Sequence, residues 1–488
     1  MAVVNRRDFL KGIGCGALAF AAPNMGRGRI SAKHRPNVVL INVDDLGWTD
    51  VGCFGSRYYE TSNIDRLASL GVKFTSAYAG AAVCSPTRAS LMTGRYPARI
   101  GITDWIHAGF QLKDFGEMFP ADKVFPGGYY AVPGKKLLCP RNPWWMELEE
   151  VTLAEILKTV GYVSCHIGKW HLGPEDWYPE RQGFDFNLGG CDFGQPPTYF
   201  DPYFSMKHGE GEIPTLNPRR RGEYLTDREA DEACRFIRES KGRPFFLHLA
   251  HYAVHTPLEG REDLVEKYRK ISSPTAQDNP VYAAMVESVD RSVGRILEVL
   301  EKTGLMEKTL LIFTSDNGGL KGHSTDNAPL RSGKGYPYEG GIRIPQIICW
   351  PGFARAGMVC DTPVCSIDFF PTLCEAADID LPKDRVIDGE SLIPLLKGAG
   401  SWERDTLYWH FPHYRGSDVV PYSIIRSGDW KLIKRYDDRP FELFNLREDL
   451  GEARDLSDLH SGKVKELDAR LSVWLRSVGA KLPRTQTD

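Results

Sequence analysis

The sequence predicts an α/β fold: a large, mostly parallel sheet sandwiched by helices, followed by a smaller C-terminal α+β unit with an antiparallel sheet and one helix. Three observations carry this. Continuous apolar runs such as "NVVLINV", "PFFLHLA" and "TLLIFTS" read as strands covered on both faces, as in parallel sheets. Segments of helical periodicity alternate with them. After about residue 388 the pattern changes to short alternating runs and one amphipathic segment.

The chain has 488 residues, more than one hydrophobic core usually organises, so a main domain over 35–387 and a smaller one over 388–488 are expected. Ahead of them, "NRRDFLKGIGCGALAFAA" joins Arg6-Arg7 to a short Gly/Ala-rich apolar segment with small residues near Ala22. It resembles a twin-arginine signal peptide over 1–22, followed by a basic leader over 23–34. That resemblance implies export of a folded protein by the twin-arginine machinery, to a bacterial periplasm or the extracellular space. Cys15 fits a lipoprotein site poorly, because Gly12 stands three residues before it. No apolar run approaches the roughly 20 residues that span a bilayer, so no transmembrane anchor is expected. The net charge of −3 gives no whole-protein attraction to nucleic acid or anionic membranes.

In chain order, the first strand ends at Asp44-Asp45, and helical periodicity follows over 63–70. Helices are expected over 152–160, 227–239, 280–302 and 367–377, and strands over 162–167, 244–250, 309–316 and 345–350. Residues 103–148 and 192–224 are rich in Trp, Tyr, Pro and Gly without clear periodicity, and long irregular segments inside a domain are usually functional. In the C-terminal unit, "SIIRSGDWKLIKRY" suits a hairpin turning at Gly428-Asp429, and 461–478 reads as a helix. Eleven cysteines show no CxxC zinc spacing. An oxidising compartment permits disulfides, and the sequence leaves their pairing open.

Asp44-Asp45 and Asp316-Asn317 both end apolar strands. Ligands collect beyond the carboxyl ends of parallel strands, so the two pairs meet if their strands are neighbours. Three converging carboxylates raise one another's proton affinity, which a divalent cation would relieve. The donors are all oxygen, with no His or Cys beside them in the sequence, which favours Ca²⁺, then Mg²⁺, over zinc. Either pair alone reads as a helix cap or a plain turn; together they favour a metal.

The stretch "VCSPTRASLMTGRYP" over 83–97 is the most specific feature. Cys84-Ser85-Pro86-Thr87-Arg88, continued through Arg95, resembles the signature of type I sulfatases in the alkaline-phosphatase-like superfamily. Further segments similar to that family's motifs follow in order: "VDDLGWTDVGCFG", "HIGKWHLG", "HYAVHTP", "TSDNGG", "SGKGYPYEGGIRIP" and "FELFNLREDLGEARDL". The resemblance covers nearly all of the chain after the signal. It implies a sulfuric ester hydrolase in which Cys84 is oxidised to Cα-formylglycine by a formylglycine-generating enzyme that reads Cys, Pro and Arg in the unfolded chain. If folded protein is exported, that oxidation occurs in the cytoplasm.

The implied chemistry explains the cysteine. The aldehyde hydrates to two hydroxyls on one carbon; one attacks sulfur, and loss of the other's proton expels sulfate and restores the aldehyde. By the same resemblance, Asp44, Asp45, Asp316 and Asn317 bind Ca²⁺ with the modified Cys84 completing the shell. Arg88 fixes the hydrate. Lys169, His255 and Lys334 hold the sulfate, His171 is the base, and His255 with Lys334 is the acid at the leaving oxygen. His166, His208, His248 and His251 read as structural, and His323 supports no metal role.

Two other readings stand beside this one. A phosphate or phosphonate ester hydrolase of the superfamily would use His-containing sites suited to zinc or manganese, whereas Asn317 follows Asp316 here. A non-catalytic glycan-binding relative would show gaps in the constellation. Walls are expected from "TDWIHAG", "NPWWMELEE", "GGCDFGQPPTYFDPYF" and "HFPHYRG", whose aromatic and polar residues suit sugar rings. The expected substrate is a sulfated carbohydrate attacked at a chain end, of galactose or N-acetylgalactosamine type.

Overall fold

The computed structural model describes residues 35–108, 124–125, 128–207, 211–398 and 402–485. The expected signal, the leader, Cys15 and His208 lie outside the described residues.

The core is an eight-stranded sheet. In chain order its strands are β1 (Asn37–Val43), β2 (Val72–Phe74), β3 (Val163–Gly168), β4 (Phe186–Leu188), β5 (Phe245–His251), β6 (Thr309–Ser315), β7 (Gln346–Cys349) and β8 (Met358–Cys360). In space they run β8-β2-β7-β6-β1-β5-β3-β4. All neighbours are parallel except at β7, which runs against both β6 and β2. The apolar runs of β1, β5 and β6 are buried at every residue, because helices cover both faces of the sheet centre.

Register positions the chemistry. Val43 at the end of β1 pairs with Ser315 of β6 on one side and His251 of β5 on the other. The next residues, Asp44-Asp45 and Asp316-Asn317, therefore leave the sheet side by side. Gly168 of β3 pairs with Ala250, so Lys169 leaves from the same edge.

The helices are α1 (Ser62–Leu70), α2 (Cys84–Thr93), α3 (Leu153–Lys158), α4 (Leu225–Glu239), α5 (Glu262–Arg269), α6 (Pro280–Lys302) and α7 (Phe369–Ala376). Helix α3 is shorter than its periodicity suggests, opening on a Thr152/Glu155 capping box and closing before Thr159. Helix α1 is capped from outside: Asp290 of α6 accepts from the backbone N–H groups of Asn63 and Ile64 at 2.9 and 2.8 Å. Residues 128–140, which show no sequence periodicity, contain the short strands Tyr129–Ala131 and Leu137–Pro140 in a small antiparallel sheet. Two-to-four-residue strands are too brief to print a pattern. The ten described cysteines are free thiols, so the permitted disulfides do not form among them.

The C-terminal unit is an antiparallel sheet of β9 (Thr406–Phe411), β10 (Tyr422–Ser427), β11 (Trp430–Arg435) and β12 (Glu442–Asn445), backed by α8 (Ser461–Ser477). Gly428-Asp429 makes the two-residue turn, with Gly428 at φ 55°. This sheet shares a core with Tyr78, Val83, Tyr96 and Ile342 of the preceding chain. A fully buried charge cluster fastens the same seam. Lys431 of β11 contacts Glu339 at 3.0 Å and Glu452 at 2.7 Å, and Arg343 and Tyr78 complete Glu339. No described helix is long and apolar enough to cross a membrane.

Replacing Lys431 with Met leaves two buried carboxylates without their shared cation, and breaking a buried pair costs about 3–5 kcal/mol. Urea unfolding of K431M should show a loss of that size. A change below about 1 kcal/mol would mean the cluster does not hold the seam.

Candidate active site

Cys84 opens α2, a helix in which every residue is buried. The polar residues after it are explained by their partners. Ser85 accepts from Ile106 N–H at 2.9 Å and donates to the His171 carbonyl at 3.0 Å. Thr87 bonds both the N–H and the carbonyl of Ala81 at 3.0 Å, fixing the turn that enters the helix. Arg88 reaches across to Asp316, with Nε to Oδ2 at 2.9 Å and Nη2 to Oδ2 at 2.8 Å, and Nη1 donates to the Lys169 carbonyl at 2.7 Å. Ser85 and Thr87 were not singled out in the sequence; their hydrogen bonds span a sequence gap of up to 86 residues for Ser85 and a turn for Thr87, and neither leaves a pattern.

The charged residues converge. Potential ligand atoms of Asp44, Cys84 and Asp316 lie within 4.8 Å of one another, and so do those of Asp44, Asp45 and His255. Lys169 donates to Asp44 Oδ2 at 2.6 Å, while Lys334 lies 2.6 Å from Asp45 Oδ1 and 2.9 Å from Oδ2. Asn317 donates its Nδ2–H to Asp45 Oδ1 at 2.8 Å. Asp45, His171 and Ser332 adopt positive φ of 60°, 59° and 60° without being glycine, strained backbone of the kind concentrated at functional sites.

Two expectations change here. The carboxylates are not uncompensated: Arg88, Lys169 and Lys334 supply three positive charges against Asp44, Asp45 and Asp316. Charge repulsion by itself therefore does not demand a metal. The donors also have company, since His255 Nε2 stands 3.6 Å from Asp45 Oδ2 and Cys84 borders Asp44 and Asp316. The family resemblance also places Cys84 and His255 here, whereas the pairing of Lys169 and Lys334 with the carboxylates joins distant segments and leaves no local pattern.

What favours a cation is the unmet polar capacity. Asp44 Oδ1 and Asn317 Oδ1 are buried and accept no hydrogen bond. Buried acceptors are almost always satisfied, so two bare oxygens beside Asp45 and Asp316 fit a hard, oxygen-seeking ion such as Ca²⁺. Burial and the Asp316 charge push the Asp44 carboxyl up to about 8, against Lys169 and Arg88. Burial would raise Asp45 too, but Lys334 and His255 hold it below the usual carboxylate range.

The two histidines differ in role from ordinary surface groups. His171 donates Nε2–H to the Ile106 carbonyl at 2.6 Å, leaving Nδ1 as a buried lone pair with no partner. Burial, then Lys169 and Arg88, push this ring well below the usual imidazole range. His255 directs Nδ1 to the Thr256 carbonyl at 2.9 Å, and burial with Lys334 lowers it to about 3. His166, His248 and His251 are buried and paired, His166 with His248 at 3.0 Å and His251 with Glu229 at 2.6 Å.

The expected walls divide. Tyr199 and Tyr203 are fully buried and belong to the core; the Tyr199 hydroxyl lies 2.8 Å from the carbonyls of both Tyr252 and His255, shares its one hydrogen between them, and so steadies the His255 loop. From the C-terminal unit, His413 meets Thr103 at 2.8 Å and the Arg415 side chain packs against Gly335, next to Lys334.

Comparison with known proteins agrees with this geometry. The family model described as Sulfatase matches residues 36–379, and one described as N-sulphoglucosamine sulphohydrolase, C-terminal, matches 333–480. The chain belongs to the sulfatase family. It is a type I sulfatase of the alkaline-phosphatase-like superfamily, and therefore a sulfuric ester hydrolase. A sulfatase of Formosa agariphila is 33% identical, covering 91% of this chain and 89% of that one. Human N-acetylgalactosamine-6-sulfatase is 33% identical over 81% of this chain and 71% of its own. The crystal structure of Ps i-CgsB in complex with k-i-k-neocarrahexaose matches with a TM-score of 0.74 at 28% identity, covering 90% of this sulfatase and 93% of that chain.

A histidine whose pKa is lower folded than unfolded binds fewer protons in the native state. The stability linked to His171 is thus present above about pH 6.5 and is lost as pH falls toward the folded value. The ring should stay neutral through the physiological range. An NMR titration of the folded protein should find no His171 midpoint between about pH 5 and 8; a midpoint inside that window would overturn the assignment.

Proposed function

We propose that this sulfatase releases sulfate from a sulfated carbohydrate, acting at a chain end on a galactose- or N-acetylgalactosamine-type sulfate. The observation that carries the reading is the convergence of Cys84 with three strand-end carboxylates and the Asn317 amide, two lysines, an arginine and two neutral histidines. The likeness to the N-acetylgalactosamine-6-sulfatases and to Ps i-CgsB, whose structure holds a neocarrahexaose, supports the choice of sugar.

Asp44, Asp45, Asp316 and Asn317 would hold Ca²⁺ with the side chain at position 84, and the ion would supply Lewis acidity at a sulfate oxygen. Oxidised to formylglycine, Cys84 would supply a hydrated aldehyde as nucleophile. The remaining work falls to this chain's own groups. Arg88, fixed at both ends by Asp316 and the Lys169 carbonyl, orients the residue that opens α2 and keeps positive charge beside it. His171 Nδ1 is the available base, because Nε2 is committed to Ile106 and the ring is neutral. Lys169 and Lys334 bring positive charge to the sulfate oxygens. Asp45 keeps Lys334 protonated against the cost of burial, so Lys334, with His255 beside it, can hand a proton to the leaving oxygen. We further propose export through the 1–22 signal, with Cys84 oxidised beforehand in the cytoplasm.

Two results are expected. First, 4-nitrophenyl sulfate and a panel of sulfated oligosaccharides should release free sulfate, and Cys84→Ala should lower kcat/KM at least about 1,000-fold. Preference for an aryl phosphate over the aryl sulfate would favour the phosphate-hydrolase alternative. Second, chelator-treated protein given Ca²⁺ at 100 times its Kd should gain about 2.7 kcal/mol of stability, read as a rise in Tm. In Asp316→Asn that calcium-dependent rise should disappear; a rise of equal size in both proteins would remove Asp316 from the ion site.

A further inference from the structure

A cavity of about 760 Å³ opens where the short helix Pro97–Ile100, the 140–147 loop and the C-terminal residues Gly479 and Lys481 meet. None of Asp44, Cys84, His171 or Lys334 lines it. Its volume lies within the roughly 300–1,000 Å³ of small-molecule sites.

The lining has a distinct chemical character. Trp144 and Trp145 are half-buried in the lining, and Trp145 is held in place by stacking on Trp177, with centroids 4.2 Å apart. Arg141 and Lys481 are exposed and form no ion pair with a described residue, whereas the third cation, Arg99, is taken by Asp388 at 2.7 Å. Glu147 is the one carboxylate among the described lining residues, which therefore carry a net positive charge in a protein of net charge −3. Gly101 and Gly479, at φ 90° and 67°, face open space: a Cβ at either would meet nothing within 4 Å. The floor is fixed in advance, since Asn142 accepts from the N–H groups of Thr103 and Asp104 at 2.9 and 3.1 Å and donates back to the Asp104 carbonyl at 2.9 Å.

Indole rings in the lining beside guanidinium and ammonium groups without a described ion-pair partner suit a sugar ring, with its apolar C–H face toward tryptophan and an anionic ester toward Arg and Lys. The location adds a reason. Gly101, Ile102 and Thr103 line the cavity, and three residues on, Ile106 holds His171, so one loop serves both places. We propose that this cavity is a second carbohydrate site, which takes a sulfated residue of the same oligosaccharide that the catalytic centre desulfates. It rests on the sulfated-carbohydrate reading above and extends it to a distal residue of the chain.

The test uses the full-length protein, a sulfated neocarrahexaose, its desulfated counterpart, and 4-nitrophenyl sulfate, which carries no sugar residue to occupy the cavity. R141A/K481A removes two exposed side chains with little risk to folding, and W144A is the second variant. Calorimetry in a Cys84→Ala background should show binding of the sulfated hexaose weakened about tenfold in each variant, with the desulfated hexaose bound poorly throughout. In the Cys84-containing enzyme, KM for the hexaose should rise by a similar factor while kcat and 4-nitrophenyl sulfate turnover stay unchanged. Equal hexaose affinity in wild type and R141A/K481A, or equal affinity for the desulfated sugar, overturns the proposal. If the wild type cleaves no sulfate ester yet R141A/K481A still weakens binding, the cavity stands and the catalytic reading fails.

Discussion

The structure depends on a buried exchange of charge at the carboxyl ends of β1 and β6. Asp44, Asp45 and Asp316 sit in the interior of the molecule, where an isolated carboxylate would be severely destabilising. They persist because Arg88, Lys169 and Lys334 come to them from three other parts of the chain. Each cation requires its carrier to be placed: Arg88 by the buried α2, Lys169 by the end of β3, Lys334 by the loop that ends at β7. The fold can thus be understood as the scaffold that brings six charges to one point. Such a cluster is a poor source of stability, since buried pairs roughly repay their own desolvation. Its retention makes sense as function.

That arrangement also accounts for the sulfatase signature beyond its cysteine. The start of α2 gives Cys84 a fixed origin, and Ser85 ties it to the two segments that carry His171 and Ile106. Ser85 thereby couples the start of α2 to the segment that carries His171. Thr87 closes the preceding turn on Ala81, and Arg88 spans two strands. The small residues that follow let α2 pack with no exposed face.

The C-terminal unit takes part in the site as well as in the core. Its sheet is fastened by Lys431 between Glu339 and Glu452, and Glu339 belongs to the same loop region as Lys334. Through that seam, Arg415 comes beside Gly335 and His413 meets Thr103. The surroundings of the buried charge cluster are therefore built by both halves of the chain.

The sequence alone determined the α/β class and the main strands, because buried parallel strands write long apolar runs, and the Cys84 motif, local and contiguous, carried the resemblance that pointed to the charged residues the structure brings together. Tertiary structure decided the rest. Whether Asp44 meets Asp316 hangs on the β1–β6 register, which no local pattern encodes. That Lys169 and Lys334 pair with the carboxylates, that Tyr199 is core and not wall, and that Trp144 and Lys481 border one cavity are relations between distant segments. Short elements such as Leu137–Pro140 stayed invisible for a similar reason: their stability comes from neighbours, and a few residues carry too little periodicity to announce them.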